Sequence, residues 1–160
     1  TVQKGIKAID KLKPLLTTIH ISGGDEMMKA SLNNRKYTKI LGVSLLTSLD
    51  KKQTKKYYNE QSIKTLVKKF VKNAKKIKLD GVVCSPKEIE YIRKQVGKNF
   101  IIVTPGIRLK DSHKINDDQK RVLSPKRAIK LGANFLVIGR PITMSKNPLD
   151  TVKKINNSLF

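Results

Sequence analysis

Strand-like and helix-like patterns alternate along this chain, and the alternation predicts an α/β protein built on a parallel sheet. Three observations carry that expectation. Five short runs, 17–21, 40–47, 81–85, 101–107 and 135–142, are apolar and β-branched almost without interruption. Runs of that kind suit strands covered on both faces, as in parallel sheets. Amphipathic helical patterns separate the runs, and the helix starts and stops are marked by capping residues, prolines and glycines.

In chain order, Val2, Ile6, Ile9 and Leu12 give the first helical stripe, over 2–12, ahead of the first strand. A helix from Gly24 to about Leu32 leads into the run at 40–47. The segment 48–59 is longer than a plain strand-to-helix turn and is expected to be a loop. The helix over 60–77 is the clearest of all. Ile63, Leu66, Val67, Phe70, Val71, Ala74 and Ile77 make one apolar stripe, with Lys64, Lys68, Lys69, Lys72, Lys75 and Lys76 on the other side. After the run at 81–85, Ser85-Pro86-Lys87-Glu88 sets Ser at the N-cap, Pro at N1 and Glu at N3, a capping box opening a helix over 86–96 that Gly97 closes. The run at 101–107 is followed by a second long loop, 109–123. Ser124-Pro125 then starts a helix over 125–131 that ends at Gly132, and Asn147-Pro148 starts the last, over 148–159.

Composition narrows the class. The 160 residues fit one domain able to bury a core. No apolar run approaches the roughly 18 residues of a membrane span. The single cysteine, Cys84, excludes an internal disulfide and fits a reducing, cytoplasmic setting. No secretory leader is visible, and the start at Thr1 without Met hints at processing or a missing beginning. One Cys and two distant His, His20 and His113, provide no metal-ligand cluster. The formal charge of +23 suggests a nucleic-acid partner, but its distribution argues against one. Of 35 basic residues 29 are Lys, spread from Lys4 to Lys154, with no aromatic residues among the charges on the helix 60–77. A solvated lysine surface is expected, with no nucleic acid and no membrane as partner.

Two turns near the C-terminus place glycine beside arginine: Thr104-Pro105-Gly106-Ile107-Arg108 and Ile138-Gly139-Arg140-Pro141-Ile142. Glycine lets a backbone approach a ligand, and the guanidinium fork matches a phosphate. In (β/α)8 barrels the phosphate site is frequently built after strands 7 and 8. Counting back makes the visible strands 4 to 8, so the expected fold is an incomplete (β/α)8 TIM barrel, a single partial domain over 1–160 with strands 1–3 missing. A doubly wound sheet would place a glycine-rich phosphate loop at its first turn, and no such motif occurs.

Six segments in order then resemble the orotidine 5′-phosphate decarboxylase family, bacterial type. They are His20-Ile21-Ser22-Gly23-Gly24 with Met27-Met28; Leu46-Thr47-Ser48-Leu49-Asp50; Leu79-Asp80-Gly81-Val82-Val83-Cys84-Ser85; Val103-Thr104-Pro105-Gly106-Ile107-Arg108; Asp118-Gln119-Lys120-Arg121-Val122; and Val137-Ile138-Gly139-Arg140-Pro141-Ile142-Thr143. The resemblance implies a carboxy-lyase that converts orotidine monophosphate to uridine monophosphate in pyrimidine biosynthesis, without a cofactor, as a cytoplasmic homodimer. It implies that a Lys/Asp network in a D-x-K-x-x-D-I-P-x-T motif performs the chemistry. Thr1 matches only the last position of that motif, so no catalytic residue is expected here and the chain alone is expected to be inactive.

The resemblance leaves this chain the binding half. Arg140 and the backbone N–H of Gly139 would hold the 5′-phosphate, and Gln119 would reach over phosphate and base. Arg108 would be a further substrate contact, Thr47 would meet the pyrimidine, and Thr1 would belong to the substrate site. Asp117 stands where the family usually has glycine, adding a side chain and a negative charge to the gripping loop. His20 is expected to be a hydrogen-bonded structural histidine, His113 solvated, and Cys84 inert packing. Two other readings stay open: a different phosphate-binding barrel lyase, and a non-catalytic binding protein or remnant.

Overall fold

The computed structural model describes residues 1–108 and 123–159. Helix α1 (Val2–Asp10) precedes strand β1 (Leu16–His20); a 3-10 turn (Ile21–Gly23) and α2 (Asp25–Leu32) lead to β2 (Lys39–Val43). Two helices follow, α3 (Lys51–Tyr58) and α4 (Ile63–Ile77), before β3 (Gly81–Val83). A 3-10 turn (Pro86–Glu88) runs into α5 (Ile89–Val96), then come β4 (Ile101–Thr104), α6 (Pro125–Leu131), β5 (Phe135–Leu136), α7 (Arg140–Thr143) and α8 (Pro148–Asn157).

The strands form one five-stranded sheet in the order β1-β2-β3-β4-β5, with every neighbouring pair parallel. That order separates the two candidate folds. A doubly wound sheet reverses its strand order at a switch point, whereas a barrel adds each strand beside the last. This sheet never reverses.

One face of the sheet packs under the helices. Ile19, Ile40, Val82 and Ile102 meet Met28, Leu66, Val67, Val71, Ile89 and Ile92 there, all buried. The stripe on α4 is buried as its spacing predicts, at Leu66, Val67, Val71 and Ala74. By alternation the neighbouring positions face the other way. On that second face Leu41 and Val103 are buried, but Thr18, His20, Phe135 and Val137 are exposed. The expectation of strands covered on both faces therefore fails toward the sheet edges, where the second face has no covering layer among the described residues.

Polar anchors fix the N-terminal ends of the strands. Buried Asp10 accepts from the backbone N–H groups of Lys36, Tyr37 and Thr38 at 2.7, 3.0 and 2.9 Å. Burial alone would raise its pKa, but those three donors outweigh it and hold the carboxyl at about 2. Asp80 pairs with Arg35 and accepts from Ile40 N–H at 2.8 Å, while its carbonyl receives Ile101 N–H. Arg93 reaches across from α5 and donates to the carbonyls of Phe100 and Gly132 and to Asn134 Oδ1; that same oxygen accepts from Ile102 N–H.

Several boundaries differ from the sequence expectation. The strands are shorter, and the run at 135–142 ends as a strand at Leu136. Residues Arg140–Thr143 are helical instead, with Pro141 in the first turn, where its missing N–H costs nothing. The segment 48–59 holds α3, and α4 begins at Ile63 with Ser62 accepting from Thr65 N–H. The caps at Ser124 and Asn147 and the closures at Gly97 and Gly132 form as expected. At Ser85, the N–H donates to the Glu88 carboxylate at 2.9 Å.

Candidate functional site

In a parallel sheet every strand tip and every following helix start lie at the same end, and that end is where barrel enzymes bind. The candidate residues converge there. Thr47 follows β2, Arg108 follows β4, and Gly139 with Arg140 follows β5. Thr1 is the N-cap of α1, which runs back toward the start of β1, so it also lies at the tip end of the sheet.

Each is held by local structure. Thr47 is half-buried in a turn closed by Leu49 N–H to Leu46 C=O, 3.1 Å. Directly after it, Asp50 and Gln53 exchange side-chain and backbone hydrogen bonds of 3.0 and 3.2 Å, a capping box that starts α3. Pro105-Gly106 turns the chain out of β4, with Gly106 at φ +76°, a backbone state that disfavours any side chain. Arg108 N–H then donates to Leu123 C=O at 3.0 Å, and Ile107 pairs with Leu123 as a parallel bridge. The connection carrying Gln119 thus leaves and returns at one point beside Arg108. Gln119 itself lies outside the described residues, as do Asp117, Asp118 and His113.

Gly139 is exposed, and its carbonyl accepts from Ile142 N–H at 2.8 Å and Thr143 N–H at 3.1 Å. Arg140 opens α7, half-buried. A built Cβ at Gly139 would meet nothing within 4 Å, so the space over this turn is open to a ligand.

His20 departs from expectation. Ile19 takes the core side of β1, so alternation turns His20 to the opposite face, where it is exposed at the strand tip with no side-chain hydrogen bond among the described residues. Cys84 is buried, and burial with the nearby Glu88 charge pushes its thiol pKa far up, so it stays protonated. No group of three metal-ligating side chains occurs among the described residues.

A sequence model described as the orotidine 5′-phosphate decarboxylase / HUMPS family matches residues 1–155. The chain belongs to that family. Among its relatives are the orotidine 5′-phosphate decarboxylases of Wolbachia pipientis and Ehrlichia canis. Both are 44% identical over 161 residues, covering 99% of this chain and 70% and 69% of theirs. The crystal structure of orotidine 5′-phosphate decarboxylase from Lactobacillus acidophilus superimposes with a TM-score of 0.83 at 30% identity, over 99% of this chain and 69% of that one. The Pyrococcus horikoshii enzyme, at 20% identity and a TM-score of 0.75, shares the fold. Membership makes this a carboxy-lyase sequence with the family's barrel architecture. Among the described residues no helix is long and apolar enough to cross a membrane.

Sequence reasoning missed the anchors at the far end of the sheet: Asp10, the Arg35–Asp80 pair and Arg93 with Asn134. They serve stability, and nothing local in the sequence pairs residues 41 or 45 positions apart.

Proposed function

We propose that this chain supplies the phosphate- and base-binding half of an orotidine 5′-phosphate decarboxylase, acting without a cofactor in a cytoplasmic homodimer. The convergence of Arg140, Gly139, Arg108 and Thr47 at one end of the sheet, in a chain 44% identical to decarboxylases, is the observation that carries the reading. In it the 5′-phosphate sits over the Gly139-Arg140 turn, held by the guanidinium and a backbone N–H. Gln119 folds over from the connection anchored beside Arg108, and Thr47 meets the pyrimidine. The lysine that protonates C6 as CO₂ departs, and its partner aspartates, stand ahead of Thr1 in the full protein, with strands 1–3 of the barrel.

This division has a physical sense. Contacts to a phosphate remote from the reacting carbon supply binding energy that can support distortion and loop closure at the reaction centre. The half without the lysine then keeps affinity and loses chemistry.

The test is direct. The 160-residue chain and a version preceded by the relatives' remaining segment are each given orotidine 5′-phosphate. Release of CO₂ and uridine monophosphate by the longer protein alone supports the proposal. Turnover by the 160-residue chain itself would overturn the placement of the catalytic lysine, and turnover by neither would overturn the activity.

A further inference from the structure

On the helical side of the molecule α4 packs beside α5, α3 precedes the start of α4, and lysine dominates the exposed positions of α3 and α4. A groove of about 590 Å³ between α4 and α5 is lined by Lys68, Lys69, Lys72, Lys94, Tyr91 and Gln95. A second of about 540 Å³, between α3 and the start of α4, is lined by Lys51, Lys52, Lys55, Lys64 and Gln61. Lys64 joins the two, since its ammonium and that of Lys68 both lie over the Tyr91 ring, 5.6 and 6.0 Å from its centre.

The carboxylates here are few. Glu60 pairs with Lys69 at 3.2 Å and Glu90 with Lys94 at 2.9 Å, and Asp50 caps α3 beside Lys51. Eight lysines therefore stand against three carboxylates among the described residues. Along α4, Lys64, Lys68 and Lys72 recur every fourth residue, a row of ammonium groups rising about 6 Å per step. A single phosphate would engage one or two of them, whereas a ligand with repeating negative charge engages the row.

We propose that this face binds the phosphodiester backbone of nucleic acid, without sequence selectivity. The linear sequence argued otherwise on two grounds, dispersed lysines and no aromatic residue among them. Folding removes both. The consecutive helices α3 and α4 line the two grooves with seven lysines, α5 adds Lys94, and Tyr91 arrives from α5 beneath two of them. With its ring covered by Lys64 and Lys68, Tyr91 holds the ammonium groups in place and is not a stacking platform, so phosphates are read and bases are not. The inference is independent of the decarboxylase reading, since it involves none of the residues assigned to the substrate.

The probe is a fluorescent 20-nucleotide oligonucleotide, titrated by anisotropy across salt concentrations. Binding at about 50 mM salt is expected, with log K falling linearly against log salt at a slope reporting several phosphate contacts. The double variant K68E/K72E should weaken binding at least tenfold and flatten the slope by one to two. The variant K153E/K154E, equal in charge change but on α8, should leave binding within twofold. Circular dichroism confirms that each variant is folded. Three results would each overturn the proposal: no binding by the parent chain, equal losses in the two variants, or binding to phosphatidylserine vesicles without binding to the oligonucleotide.

Discussion

Arg140 and Asp10 show two different uses of charge at single positions. Arg140 is half-buried at the start of α7, directly after Gly139, where a Cβ would meet nothing within 4 Å, and this turn is the one proposed to hold a dianion. Losing one charge-assisted bond of that kind costs about 1.5–3 kcal/mol, so Arg140→Ala should raise the Kd for uridine monophosphate about tenfold to a hundredfold. Calorimetry on the folded variant measures it, and an unchanged affinity would remove Arg140 from the site. Asp10 works in the opposite setting, buried under three N–H donors with its pKa lowered to about 2 from 3.8. Its ionised form is the one folding favours. The stabilisation is therefore complete above about pH 4 and is lost as pH falls toward 2. The melting temperature of Asp10→Asn should lie below that of the parent at pH 7, and the gap should close on acidification. A gap that stays constant between pH 7 and 2.5 would mean that Asp10 contributes no pH-dependent stability.

The helices were more legible than the strands because their ends carry their own chemistry. Ser124-Pro125 and Asn147-Pro148 announce N-termini, and Gly97 and Gly132 announce C-termini, all of which the structure keeps. A strand has no such punctuation, so an apolar run overstates its length wherever the chain leaves the sheet while still packing inward. Ile138, partly buried against the core beyond the end of β5, is an example. Helix α3 was missed because Lys51–Tyr58 has no apolar stripe; Asp50 and Gln53 carried its only signal. The strand tips of the candidate site were legible from glycine–arginine turns, while the helix-to-strand clamps were not. Of those, Arg93 joins most elements: α5, the loop before β4 and the α6–β5 turn. Arg93→Ala should cost about 3 kcal/mol, read as a lower urea midpoint. Arg93→Lys should recover less than half of that loss, since a point charge cannot reach Phe100, Gly132 and Asn134 together. Full recovery with Lys would show that charge, and not the planar fork, makes the clamp.

At the scale of the whole molecule the sheet is open, and its second face is covered least where Phe135 and Val137 are 41% and 50% exposed. Edge β1, five residues long and without proline or a charged lysine, offers a row of backbone groups beside that face. Such edges pair with other chains unless something blocks them. In the family's barrel both features are internal. The aligned 161 residues make up 70% of the Wolbachia relative, which puts the whole barrel near 230 residues, in the usual range for this fold. The isolated 160-residue chain should therefore self-associate despite its +23 charge, and the effect should grow with salt as repulsion is screened. Sedimentation velocity distinguishes the cause. The F135K/V137K variant should shift the chain toward monomer, because a charge on the uncovered face opposes stacking. The L12K/L149K variant, which alters two residues at least 64% exposed elsewhere, should not. Equal effects would assign the association to general hydrophobicity. A monomeric parent chain at high salt would mean that the lysine-rich surface alone keeps an open half-barrel apart.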